Sequence, residues 1–143
     1  MEIYTSELKA LGTSLRLINT ELMKVAETDP QVKRFWYQGQ EFYFDIMIEM
    51  RAQAITWLQI TLRGKVVSCR PPNALWTGET EELDVPPAVA YYPASKKIRD
   101  GAMVNWDFVQ AIVTMLSHRS DEPMLTQVCE LLTGQLNQHF ETV

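Results

Sequence analysis

The sequence predicts an α+β domain: an N-terminal helix, an antiparallel meander of four to five strands, and two C-terminal helices packed on the sheet. Three observations carry this. Apolar residues recur at spacings of three and four before residue 30, the period falls to two between 31 and 81, and helical spacing returns after residue 104.

The first helix is drawn from Leu8, Leu11, Leu15, Ile18, Leu22 and Val25, which fall on one stripe, and Asp29-Pro30 ends it. Thr5 or Ser6 offers a hydroxyl to cap the free N–H groups at its start, and Glu7 suits the positive end of the helix dipole. The stripe is expected to pack on the domain's own sheet. A dimeric coiled coil is the lesser alternative, because the run is shorter than three heptads.

In the sheet, Gly39 and Gly64 suit two-residue hairpin turns, where glycine accepts positive φ. The second hairpin closes through Gly64-Lys65 or Arg63-Gly64; either choice puts Leu58, Ile60, Leu62, Val67 and Cys69 on one face. The first turn aligns Phe35 and Tyr37 with Phe42 and Phe44, and Phe42, Phe44, Ile46, Ile48 and Met50 form the core parity of "EFYFDIMIEM". Keeping both apolar sets inward then requires an odd-length connection or a bulge around 51–54. A further strand runs from Asn73 to Glu81, entered through Pro71-Pro72, which donate no ladder bonds and fit an edge or corner.

Residues 82–101 form an irregular crossing in which only "AVAYY" has strand character. The next helix spans about Asn105 to His118, capped by Asn105, with Trp106, Val109, Ile112, Val113 and Leu116 inward. The last follows Ser120-Asp121-Glu122-Pro123 and carries Leu125, Val128, Leu132 and Leu136, with Gly134 weakening its final turns.

At 143 residues the chain forms a single domain, residues 1–143, large enough to need no staple. Its net charge of −5 opposes attraction to nucleic-acid phosphates, and no segment is long and apolar enough to span a bilayer. Cys69 and Cys129 lack CxxC spacing, and "MEIYTSELKALG" lacks the features of an export signal. Together they point to reduced thiols and a cytoplasmic, bacterial protein, or one of an equivalent reducing compartment.

Motifs for chemistry are sparse. Neither His118 nor His139 has a second histidine, cysteine or carboxylate at i+3 or i+4 in a recognised ligand pattern, so no metal is expected, and the scattered glycines form no phosphate-binding loop, so no cofactor is expected. Cys69 is the best nucleophile candidate, next to Arg70, but the register turns its sulfur into the core, where an apolar setting raises the thiol pKa. Asp45 and Glu49 share a face too far apart for a glycosidase pair, and with Glu41 they read as a solvated rim. The charge runs 79–82 and 96–99 read as exposed, or as paired across the crossing.

The remaining parity is informative. Opposite the core it gathers Trp36, Tyr43, Met47, Ile55 and Trp57 among Glu41, Asp45, Glu49 and Gln59, a mixture typical of an interaction patch. Either one of the helices covers this face and makes a three-layer domain, or the face meets another molecule. A second copy suits a self-complementary sheet face better than a small ligand does.

The function expected is a non-enzymatic protein-binding or adaptor domain that self-associates through this aromatic and methionine face, as a homodimer or with a protein partner. Size, acidity and the helix-then-hairpins order over about the first eighty residues resemble the small dimeric chaperones of bacterial secretion systems, from which the paired C-terminal helices depart; no residue role follows. Two other readings are a small hydrolase or transferase centred on Cys69 or the outward carboxylates, and ligand capture beneath the crossing with Tyr91, Tyr92 and Lys96 at the rim.

Overall fold

A computed structural model describes residues 5–18, 32–71, 74–79, 99–100 and 104–141. Helix α1 (Thr5–Ser14) leads into β1 (Arg16–Leu17), and β2 (Val32–Gln38), β3 (Asp45–Arg51), β4 (Ala54–Leu62), β5 (Lys65–Arg70) and β6 (Ala74–Glu79) follow as a meander. After β7 (Arg99–Asp100) come α2 (Trp106–Leu116) and α3 (Pro123–Glu141). Neighbouring strands pair antiparallel in the order β1 to β7, so five full-length strands carry a two-residue strand on each edge. The α+β architecture is the one the periodicities predict, with the edge strands added.

One face of this sheet makes the core. Tyr37, Ile46, Ile48, Leu58, Ile60, Val67 and Cys69 are buried there with residues of all three described helices. The Arg63-Gly64 turn sets Ile60 opposite Val67 and Leu58 opposite Cys69. Arg63 at φ 51° and Gly64 at φ 80° give both central positions the left-handed conformation that matches strand twist.

The connection between β3 and β4 resolves the parity conflict with a bulge. Glu49 opposes Trp57 but Met50 opposes Ile55, leaving Thr56 as the extra residue in β4. The Thr56 hydroxyl donates to the Glu49 backbone carbonyl (3.2 Å) and lies 3.0 Å from its carboxylate.

The first helix is shorter than its stripe implies. Leu8, Leu11 and Leu15 are buried as expected, but α1 stops at Ser14 and residues 16–17 pair with β2; Leu22 and Val25 lie outside the described residues. Two local contacts and one distant one favour the stop. The Thr13 and Ser14 hydroxyls donate back to the carbonyls of Ala10 and Leu11, at 3.1 and 2.6 Å. Arg119 Nη1 donates to the Gly12 and Leu15 carbonyls, at 3.0 and 2.5 Å, supplying donors the helix end lacks.

The C-terminal helices follow the sequence closely. Asn105 Oδ1 accepts from Phe108 N at 3.1 Å, which is the expected cap, and Asn105 N donates to buried Thr77 on β6 at 2.8 Å, fastening the helix start to the sheet. α3 begins at Pro123 and buries Leu125, Val128, Leu132 and Leu136. It runs past Gly134 without a break. The buried Tyr37 hydroxyl donates to Glu122 Oε2 at 2.6 Å, tying β2 to the α2–α3 connection; burial, then this carboxylate, holds the phenol proton more tightly than usual. The "AVAYY" segment, and Tyr91, Tyr92 and Lys96 with it, lie outside the described residues.

Candidate functional site

The face away from the core is built in cross-strand rows. One runs Trp36, Met47, Gln59, Ser68, Trp76 over five strands; a second joins Arg34, Glu49 and Trp57; a third joins Asp45, Thr61, Val66 and Gly78. Met47 and Trp57, with Trp36 against them, form an apolar cluster separate from the core, and no described helix contributes to it.

Several polar groups of this face are paired. Trp36 Nε1 donates to Asp45 Oδ1 at 2.7 Å. Arg34 donates to Glu49 through Nε and Nη2, at 3.3 and 3.2 Å, and its guanidinium carbon lies 5.7 Å from the Trp57 ring centroid. Asp45 is 1% exposed, so it is a buried hydrogen-bonded carboxylate and not part of the solvated rim expected from alternation.

Of the five residues assigned to an interaction surface, the structure brings three together. Met47 and Trp57 are only 1% and 2% exposed, so the centre of the patch is sealed and not the open surface its composition implies; Trp36 is half-buried. Ile55 belongs to the main core, because the extra residue at Thr56 returns it to the Met50 side. Tyr43 sits off the strands, in the β2–β3 turn. The Trp57 indole N–H is buried with no acceptor among the described residues, a state that costs roughly 1–3 kcal/mol when nothing compensates it.

The accessible apolar surface lies at the turn end of this hairpin. Gln38 opposes Asp45, so residues 39–44 make a longer connection than a two-residue turn. Gly39 is required by packing: a Cβ there would collide with the Phe44 ring, which swings into the core. Gly39 N donates to Phe44 O at 2.9 Å, Phe44 N to Glu41 O at 3.3 Å, and Gln40 N to the Ser14 hydroxyl at 3.1 Å. Tyr43 takes φ 59°, unusual for a bulky side chain.

Between Glu41 and Tyr43, Phe42 is 92% exposed. Alternation places it in the core, and the structure corrects this, since the wide turn removes it from the strand. Glu41 accepts from Arg63 Nε and Nη2, at 2.9 and 2.7 Å, and the same guanidinium reaches Glu7 on α1 at 3.2 Å. The Arg63 hydrogen bond keeps the Glu41 carboxyl below its ordinary pKa. The tip is thus clasped to the next hairpin and to the first helix.

The alternative chemistries gain little from the geometry. Cys69 is 1% exposed and burial pushes its thiol up to about 11, so it is neither accessible nor ionised near neutral pH. Burial also raises the Cys129 thiol. Among the described residues no three His, Cys, Asp or Glu side chains converge as metal ligands. His139 stacks on Trp106, with ring centroids 4.2 Å apart. No described helix is long and apolar enough to cross a membrane. A groove beside the helices, with a volume near 320 Å³, has a lining that includes Leu116, Cys129 and Thr133 together with Ser120, Glu130 and Asn137.

Compared with known proteins, the chain matches no protein-family model, no curated protein and no solved structure.

Proposed function

We propose that this chain is a non-enzymatic protein-binding domain that self-associates through the turn end of the β2–β3 hairpin, which carries Phe42 and Tyr43. Phe42 carries the reading. A lone exposed hydrophobe is ordinary on a protein surface, but this ring stands on a turn held by the Glu41–Arg63–Glu7 clasp and by Phe44 seated over Gly39. Holding an aromatic side chain in place before binding lowers the entropy lost on contact, which is how anchor residues at protein interfaces act.

Sedimentation tests this. The wild-type weight-average mass is expected to rise over about 5 to 500 µM, the range of weak, small interfaces, and Phe42→Asp to weaken association at least about tenfold. Its far-UV circular dichroism and melting temperature should match wild type, because the ring is almost wholly exposed. A wild-type protein that stays monomeric across the range contradicts the proposal.

A further inference from the structure

We infer that Arg63 is a positioning residue for self-association: its guanidinium fixes the turn that presents Phe42, which puts the affinity of the tip under electrostatic control. This rests on the self-association reading and names what regulates that surface.

Two features of Arg63 lead there. The first is its placement. One guanidinium joins three parts of the chain, donating to Glu41 through Nε and Nη2 at 2.9 and 2.7 Å and to Glu7 on α1 through Nη2 at 3.2 Å, across 22 and 56 residues of sequence. Glu41 immediately precedes Phe42. The hydrogen bonds at the base of the turn engage main-chain atoms of residues 39, 40, 41 and 44, so Arg63 supplies the side-chain tie beside the exposed ring.

The second is its backbone. Arg63 and Gly64 both have positive φ, 51° and 80°, a pattern for which Asn-Gly or Asp-Gly is the preferred pair. Arginine weakens the turn itself, because a bulky side chain is unfavourable in the left-handed region. What it adds lies at the clasp. Glu7 acts on the Glu41 carboxyl in the opposite sense to Arg63, so without the cation two like charges are left facing each other. The turn then loses its hold on Glu41, and Phe42 has to be ordered at the moment of contact.

Substitution separates this role from folding. Arg63→Asn removes the cation and supplies a residue the turn prefers, so its far-UV circular dichroism should match wild type and its melting temperature should hold or rise. Glu41→Gln opens the clasp from the other side. Losing a cation takes the net charge from −5 to −6 and losing an anion takes it from −5 to −4, so general repulsion between copies would move the two variants in opposite directions. By sedimentation at about 0.1 M NaCl, both are expected to associate about two- to fivefold more weakly than wild type, the scale of part-exposed ion pairs, with Arg63→Lys in between. At about 1 M NaCl, where the screening length falls from about 10 to 3 Å, that gap should narrow. The assignment is overturned if the two variants match wild type or move in opposite directions, if their deficit is the same at both salt concentrations, or if the melting temperature of Arg63→Asn falls with its affinity. In each of those cases a Phe42→Asp protein that still associates weakly leaves the tip reading standing. If wild type does not associate at all, both readings fall.

Discussion

Gly12→Ala is expected to destabilise the protein by about 1–3 kcal/mol in urea unfolding, although alanine is the better helix former by about 1 kcal/mol. The cause is the close crossing of α1 over α2. A Cβ at residue 12 would lie 2.5 Å from the Met115 backbone oxygen. That obstacle is main chain inside a helix and cannot rotate away, so the helices must separate and the packing of Leu11 and Leu15 must loosen. The same movement stretches the Arg119 bonds to the Gly12 and Leu15 carbonyls. Gly134→Ala is the internal control: its new methyl meets nothing, and stability should rise by about 0.5–1 kcal/mol. If the two alanine variants move in the same direction, the close crossing is wrong.

The second large effect is at Trp57. Trp57→Glu is expected to cost about 3–5 kcal/mol, enough to unfold much of the population in mild denaturant. Trp57 is 2% exposed, so the new carboxylate enters a sealed site, and its direct cross-strand partner is Glu49, already engaged by Arg34 and Thr56. Like charges directly opposite on neighbouring strands repel. The substitution therefore reads stability, whereas association is read at Phe42. A Trp57→Glu protein with the wild-type unfolding midpoint would show that this face is open, contrary to its burial.

Features set by neighbouring residues were legible in the sequence. The helix start at Pro123, the Leu125–Val128–Leu132–Leu136 stripe and the Asn105 cap all depend on contacts within a turn or two, and each is present. Strand alternation likewise separates Trp36, Met47 and Trp57 from the core, because pleat period is local. Features set by distant residues were not legible. α1 stops where Arg119 caps it and β2 recruits Arg16–Leu17, so the apolar stripe does not carry the helix past Ser14. The need for an odd-length connection or a bulge near residues 51–54 follows from parity, but not the choice of a bulge or its place at Thr56, and that place decides the side on which Ile55 falls.

Phe42 illustrates the same divide within the site. By alternation it is equivalent to Phe44, and only the seating of Phe44 over Gly39 and the reach of Arg63 to Glu41 widen the turn and turn Phe42 outward. The polar "QGQE" preceding it marks a turn without fixing its length. The sealed centre of the second face was equally hidden, since composition reports which side chains share a face and not what shields them.

Site-specific photo-crosslinking from position 42 tests the central claim most directly. With Phe42→benzoylphenylalanine, irradiation at concentrations that support association should yield a covalent dimer. Irradiated protein that remains monomeric, under conditions where wild type sediments as an associating species, would contradict the account, because the ring at the hairpin tip would then lie outside the contact.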